Sequence, residues 1–521
     1  MEKMKKSLMM VMAALAMTFA GCSDDKGNDG GEPTPPPAGN EAGLVFDEKE
    51  GTQTIGYIGN GNKHFPAPKG DYVLDAGKKY VLRGWVYIQD GSTLTIPAGT
   101  VIKGDKQTAA ALIIERGAKI IARGTAQKPI VFTSEQPAGG RKPGDWGGLI
   151  LCGRASNNKG EQQIEGGPRS FHGGGKAPVD NDDSGVLSYV RVEFAGYPFD
   201  TDKEINGITF GSVGSGTQVD HLQVSYSNDD SFEWFGGSVS CKYLVAYHGW
   251  DDDFDTDNGF SGRMQFLLGV RHPRLADKSL SNGFESDNNA DGSAEEPYTT
   301  ARFCNVTLIG PMGQDAAFFN TSATASNPDG YINAGELYPN NGSGLGQFQA
   351  GVQIRRNSRI SLYNSVVTGW PVALMIEKDK GDSPAAALGG KFDVRDVHFA
   401  GVDTTLTAFD NAEIDPLQGI LSSDKNKTWL KGNAFADGIL LDKARANRFY
   451  KDMADIRLVQ PVSTGAGFNP RPATGSPLVD ATLRVPSGFD AKGDGYAGAF
   501  RDASDDWTAG WTNFDPQNTV Y

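Results

Sequence analysis

The stretches "DDSFEWFGG" (residues 229–237) and "DDDFDTDNG" (residues 251–259) recur 22 residues apart. "NGITFGS" (206–212), "SNGFESDNN" (281–289) and "DAAFFNTS" (315–322) align with them on Phe210, Phe232, Phe254, Phe284 and Phe318, at intervals of 22, 22, 30 and 34 residues. A second apolar run accompanies most of them: "VDHLQVSYS", "CKYLVAYHG", "MQFLLGVRH", "CNVTLIGP". His221-Leu222 and Tyr243-Leu244 are again 22 apart. A period of roughly 20–30 residues with several short strands per repeat is the mark of a solenoid. The uneven intervals are loops inserted at one corner, around "HPRLADKSLS" and "GSAEEPYTT".

A coil that returns through short strands is a parallel β-helix. Equivalent residues then stack at the strand spacing, roughly 4.8 Å. A β-sandwich would need hairpin turns and would not align the phenylalanines. Upstream, "KYVLRGWVYIQDGSTLTIPAGTVIKGD" and "AALIIERGAKIIARGTAQKPIVFTSE" align Gly91 with Gly117, Leu94 with Ile120 and Ile96 with Ala122, at a spacing of 26. No helix-length periodic segment separates these runs, which argues against βαβ units and for an all-β chain.

If each aligned Phe points inward, its successor points outward. Those successors are Gly211, Glu233, Asp255, Glu285 and Phe319. Three places after the Phe, Asp257 aligns with Asp287; two places before it lie Asp230, Asp252 and Asn282. Like charges about 5 Å apart repel by about 3 kcal/mol at an effective dielectric near 20. With Trp234, Phe235 and Trp250 as shelter, that cost is removed by a hard cation, by proton sharing or by a basic partner, and carboxylates with Asn are the ligand set calcium prefers. The expected cation ligands are Glu233, Asp255, Asp257, Glu285 and Asp287. Asp230, Trp234, Trp250 and Asp252 are the expected ligand-binding neighbours. The competing account is a solvated acidic face whose Asp and Asn serve turns. The run from Asp253 is no EF-hand, because Asn258 stands where Gly is required and Met264 where Glu is required.

The 521 residues carry a net charge of −15, which argues against nucleic acid as a partner. Glycine is frequent, with 68 residues, as turn-rich solenoids require. The six histidines form no HExxH pattern, and Cys152, Cys241 and Cys304 form no zinc-spaced cluster. An odd number of cysteines beyond Cys22 leaves at least one free thiol or an intermolecular bond, and buried inert thiols are expected.

Lys3, Lys5 and Lys6 precede the apolar "SLMMVMAALAMTFAG", which ends in Phe19-Ala20-Gly21-Cys22. This resembles a bacterial lipoprotein signal, implying that residues 1–21 are removed and Cys22 is lipidated. Residues 22–45, rich in Gly, Pro and acids, read as a disordered tether. Asp24 and Asp25 resemble the export signal of Bacteroidetes surface lipoproteins. Residues 46–380 read as the β-helix. Residues 381–521 read as terminal rungs and a capping region over the solenoid end, with short helices in "NKTWLKGNAFADGILLDKARANRFYKDMADIRL".

"GDWGGLILCGRA", "DDSFEWFGG", "GWDDDFDTDNGFSG" and "YAGAFRDASDDWTAGWTNFDP" resemble outer-membrane lipoproteins of Bacteroidetes and leptospires with a pectin-lyase-like fold. The resemblance covers most of the chain after the tether and implies a right-handed parallel β-helix. It implies no settled activity, because that fold serves enzymes, adhesins and scaffolds alike. The expectation is a lipid-anchored, surface-exposed outer-membrane protein that binds a glycan or nutrient without catalysis. Its expected partners are the membrane through its lipid anchor, a polysaccharide, and an outer-membrane transporter or adhesin system. Calcium is the expected cofactor. One alternative is a calcium-dependent polysaccharide lyase or hydrolase, drawing a base from Arg271, His272 and Arg274, or from Arg355 and Arg356 on the acidic face. The other is a structural envelope protein. A glycosidase needs two carboxylates about one bond, and too many are present for spacing to choose a pair.

Overall fold

The computed structural model describes residues 40–200, 203–315, 318, 320, 346–377, 380–402, 404–409 and 442–521. The expected signal segment, Cys22 and most of the expected tether lie outside the described residues, as do Phe319 and residues 410–441. The chain forms a right-handed parallel β-helix of two long sheets. One sheet runs from the antiparallel pair Val45–Glu50 and Gln53–Ile58 through Gly185–Glu193, Gln218–Ser225, Cys241–Tyr247, Arg263–Val270 and Arg302–Ile309 to Arg448–Tyr450. The other runs from Phe65–Pro66 through Gly148–Cys152, Ile208–Val213, Phe232–Gly237, Phe254–Asp257 and Phe284–Ser286 to Thr404–Phe409. Among the described residues, no helix is long and apolar enough to cross a membrane.

The early pairings match the expected spacing: Leu94 pairs with Ile120 and Ile96 with Ala122. Leu222 likewise pairs with Leu244. Phe232, Phe254 and Phe284 stack on successive rungs, with ring centroids 5.6 and 5.3 Å apart. Both ends of the expected Phe alignment need correction. Phe232 pairs with Ile208, not Phe210. Residues two apart on a strand share a face, so Phe210 is also inward, and it stacks on Trp234 at 5.5 Å. At the far end Phe284 pairs with Val352, and Phe318 lies outside any strand. The outward residue beside Glu233 is therefore Thr209, not Gly211.

From residue 185 onward the first sheet bends within each strand. The first half of Gly185–Glu193 pairs with Lys119–Arg123 and its second half with Ile130–Ser134. The hinge is Tyr189, at φ 53°. His221, Tyr243, Phe266, Asn305, Asn364 and Asp396 take the same left-handed conformation on later rungs, with φ between 46° and 64°. Left-handed residues other than glycine are uncommon, and a whole column of them marks a sharp corner built once per turn. The first four rings stack at 4.2, 4.4 and 4.8 Å.

The C-terminal segment was expected to cover the solenoid end. Val394–Ala400, Thr404–Phe409 and Arg448–Tyr450 are the expected terminal rungs, and the later residues of the segment instead lie along the flank of the first sheet. Outward Asn305, Gln265 and Gln223 hydrogen-bond to the backbone of Gly493, Asp490 and Asn513. Further back, Arg141 donates to the Pro516 carbonyl and Lys103 to that of Tyr521. Phe500 and Trp511 complete an apolar cluster with Tyr226, Tyr247 and Trp250. Of the short helices expected within residues 426–458, the described part holds only brief 3-10 turns, at Lys443–Arg445 and Met453–Ile456.

Trp511 is fully buried and sets its edge against Tyr189 and His221. Trp511→Ala is expected to cost about 3–5 kcal/mol. Limited proteolysis should then cut within residues 457–521 before the β-sheet circular dichroism is lost; simultaneous loss would mean the strap and the solenoid unfold as one unit.

Candidate functional site

The outward column of the second sheet changes character along the solenoid. Tyr87, Ile113 and Ile150 come first, in register, and Thr209 follows. Glu233, Asp255 and Glu285 occupy the next three rungs. The rung that pairs Val352 with Phe284 presents Gln353, and Met375 follows it. The early apolar part is covered by Ile164, Phe199 and Ile205 from loops, packed with Trp85, Cys152 and Phe235. The acids begin where that cover ends.

Asp230 and Glu233 are 7% exposed, and Asp255 and Glu285 are partly buried. Burial raises all four carboxyls; neighbouring carboxylates add to it at Asp230, Glu233 and Asp255, which rise well above the usual range, while at Glu285 Arg355 opposes it. The neighbours acting on Asp230 are Asp229, Asp252, Asp255 and Glu233. Those acting on Asp255 are Glu233, Glu285, Asp252 and Asp287. Burial, with Asp277 beside it, pushes Asp251 up to about 8. Burial, with Asp287 beside it, pushes Asp257 up to about 7.

The five expected cation ligands divide into groups. Glu233 and Asp255 join Asp230 in a triad whose ligand atoms lie within 4.8 Å of one another. Glu285 and Asp287 are held by arginine: Arg355 contacts both, reaching Asp287 Oδ1 at 2.8 Å, and Arg356 reaches Asp287 Oδ2 at 2.7 Å. Asp257 accepts from the Asn258 amide at 2.5 Å and borders a cleft of about 620 Å³. Gln162, Gln163, Glu165, Phe199 and Phe235 also line that cleft.

Asp230 and Asp252, expected to touch a ligand, have a second task. The side-chain Oδ1 of Asp230 accepts the Asp252 amide at 2.9 Å, Asp252 Oδ1 accepts the Asn282 amide, and Asn282 Oδ1 accepts the Ala350 amide at 3.0 Å. This ladder ties successive turns together. Trp234 and Trp250 are corrections: both are fully buried and present no ring to a ligand. Trp234 lies two residues after Phe232 and stacks inside the solenoid against Phe210, Phe232 and Phe260. Trp250 sits in the cluster under the C-terminal strap.

Sequence reasoning missed Asp229 and Asp251, which form a second close triad with Asp230. The 22-residue spacing that identified Phe232 and Phe254 applies equally to them. It also missed Asn206, whose amide Nδ2 contacts Glu233 while its Oδ1 is enclosed without a partner. Asp255 Oδ1 and Asp251 Oδ1 are likewise enclosed with no hydrogen-bond partner. Buried acceptors without donors are costly in a folded protein, and oxygen donors of this kind fit a hard cation.

The basic residues considered for catalysis are engaged elsewhere. Arg271 is fully buried and paired with Asp253 at 3.0 Å, and it also donates to the Trp250 carbonyl. Desolvation, with Arg274 and Arg271 beside it, pushes the half-buried His272 imidazole down to about 3. Cys152, Cys241 and Cys304 are free and buried. Burial pushes the Cys152 thiol up to about 12, so it is inert as a nucleophile.

No curated protein and no solved structure matches the chain. The family model described as a pectate-lyase like beta helix domain matches residues 67–436, which include every rung of the acidic column. With that match spanning most of its length, the chain belongs to the pectate-lyase-like β-helix family.

Proposed function

We propose that this protein is a cell-surface carbohydrate-binding module, lipid-anchored at Cys22 to the outer membrane, whose acidic face works with bound calcium. The fold is compatible with a carbohydrate-related role. The observation that carries the reading is the triad Asp230, Glu233 and Asp255, gathered within 4.8 Å under strong mutual repulsion. At an effective dielectric near 20, each such pair repels by about 3 kcal/mol. The oxygen-only donor set, with the enclosed Oδ1 atoms of Asn206 and Asp255, suits calcium. The cleft beside Asp257 is lined by the aromatic Phe199 and Phe235 together with the polar Gln162 and Gln163. Apolar faces with a few polar groups are how sugar sites fix their ligands. The arginines nearest the acids, Arg355 and Arg356, neutralise Glu285 and Asp287, which supports binding over catalysis. An outer-membrane transporter or adhesin system is the partner such a capture protein would serve.

Calcium should raise the melting temperature of chelator-stripped protein. A hundredfold excess over Kd contributes about 2.7 kcal/mol. Asp255→Asn is expected to reduce that shift, read by calorimetry with and without chelator. No shift at millimolar calcium sinks the cation site.

The pH dependence follows from the raised carboxyls. Asp251 and Asp257 are pushed up to about 8 and about 7 in the folded chain. Unfolded aspartate titrates near ~3.9. The folded state therefore holds more protons between those limits, and stability falls as pH rises across that window. Without calcium, the melting temperature is expected to drop from pH 5 to pH 8, and saturating calcium should flatten the slope. A calcium-free protein that gains stability over this range contradicts the assigned burial.

A glycan array probed with and without chelator tests the capture role. Calcium-dependent hits support it, and an array with no hits puts a structural envelope role ahead. Unsaturated uronate released from polyuronides would overturn the non-catalytic reading.

A further inference from the structure

We propose that the acidic face holds two calcium ions at once, side by side between the same two rungs, with Asp230 as their shared ligand. This rests on the cation reading above and adds its number and arrangement. Two triads exist, Asp229–Asp230–Asp251 and Asp230–Glu233–Asp255, each with ligand atoms within 4.8 Å of one another. Asp230 belongs to both. Each triad draws two carboxylates from the rung of Phe232 and one from the rung of Phe254, which are directly paired. A carboxylate carries about four lone-pair sites. One of them, on Asp230 Oδ1, takes the Asp252 amide, leaving room for two cations.

Unmet acceptors mark both triads. Asp251 is turned by Ser279, which donates to Oδ2 at 2.6 Å, and its Oδ1 is enclosed with no partner. In the other triad Asp255 Oδ1 is enclosed in the same way. Asn206, 2% exposed, places its amide against Glu233 with Oδ1 unpartnered. An amide oxygen is a calcium ligand, and no enclosed donor serves it.

Charge supports the same number. The two triads together contain five carboxylates, Asp229, Asp230, Glu233, Asp251 and Asp255. One divalent ion would leave most of that charge unbalanced in a sheltered place, whereas two nearly cancel it. The array also stops where it should. At the next rung the position of Asp230 and Asp252 is taken by Asn282, and Glu285 and Asp287 are occupied by Arg355. No third bridging carboxylate follows on that rung.

The test is calcium stoichiometry on the chelator-stripped full chain, by isothermal titration and native mass spectrometry. Two ions are expected in the parent protein. Asp251→Asn and Asp255→Asn should each retain one, and Asp230→Asn should weaken both at least tenfold. Asp230→Asn keeps an Oδ1 acceptor for the Asp252 amide, as Asn282 does on the later rung, so circular dichroism should show it folded. Energy transfer between bound europium and terbium reports their proximity in the parent even if a variant misfolds. A single ion in the parent, or two ions persisting in Asp251→Asn, overturns the shared-ligand pair and leaves the single cation site standing. No calcium at all overturns both.

Discussion

Each rung of this solenoid lies in hydrogen-bonded register on the one before it. The strand spacing of roughly 4.8 Å is therefore imposed on whatever side chains the rungs carry. Inside, that distance suits flat rings, and Phe232, Phe254 and Phe284 stack at 5.6 and 5.3 Å. Outside, the same distance forces Glu233, Asp255 and Glu285 together. The geometry that stabilises the aromatic ladder penalises the acidic one. The penalty is met by Arg355 at the last of the three rungs. At the first two, the charges bearing on the acids come largely from other carboxylates.

The corner column determines what surrounds this face. A left-handed residue once per turn lets strands of seven to nine residues, such as Gly185–Glu193 and Cys241–Tyr247, bend without breaking register. The bend exposes Tyr189, His221 and Tyr243 as an outward stack, and Trp507 and Trp511 of the C-terminal strap pack against it. That flank is closed by protein. The second sheet is closed only over its early rungs, by Ile164, Phe199 and Ile205. The acidic rungs follow directly, bordered by the cleft at Phe235 and Asp257.

Much of this was legible in the sequence because stacking turns spatial adjacency into a fixed interval. The 22-residue step from Phe232 to Phe254 identified the fold, the inward ladder and the pairing of Glu233 with Asp255. The interval failed where the strand offered two inward residues, as with Ile208 and Phe210. It failed again where a long insertion separates Phe284 from Val352. Alternation alone would have placed Trp234 inside, two residues from Phe232. The burial of Trp250 had no such signal, because the cluster that holds it gathers Phe194, Leu275 and Ile309 from other rungs with Phe500 and Trp511 from more than two hundred residues away in sequence. Asn206 was missed because the alignment was anchored on Phe210: in the register that pairs Ile208 with Phe232 it falls two places before the inward residue, level with Asp230, Asp252 and Asn282.

The Asx ladder separates what the fold requires from what it does not. Asp230, Asp252 and Asn282 do the same work on three rungs, each offering Oδ1 to the backbone amide of the next turn. Asn282 shows that a neutral amide performs it, so the negative charge of Asp230 and Asp252 is superfluous to the ladder. The outward column makes the same point, since Thr209 and Gln353 flank the acids on equivalent positions of the same sheet. Neutral polar residues would build this solenoid without the repulsion that buried carboxylates bring. Carboxylates at Asp230, Glu233 and Asp255 therefore oppose the stability of the cation-free chain, and such local conflict between stability and sequence is characteristic of binding sites. A hard cation reverses the sign of the conflict: the oxygens that repel one another become its ligands, and the rungs they belong to are drawn together along the solenoid axis.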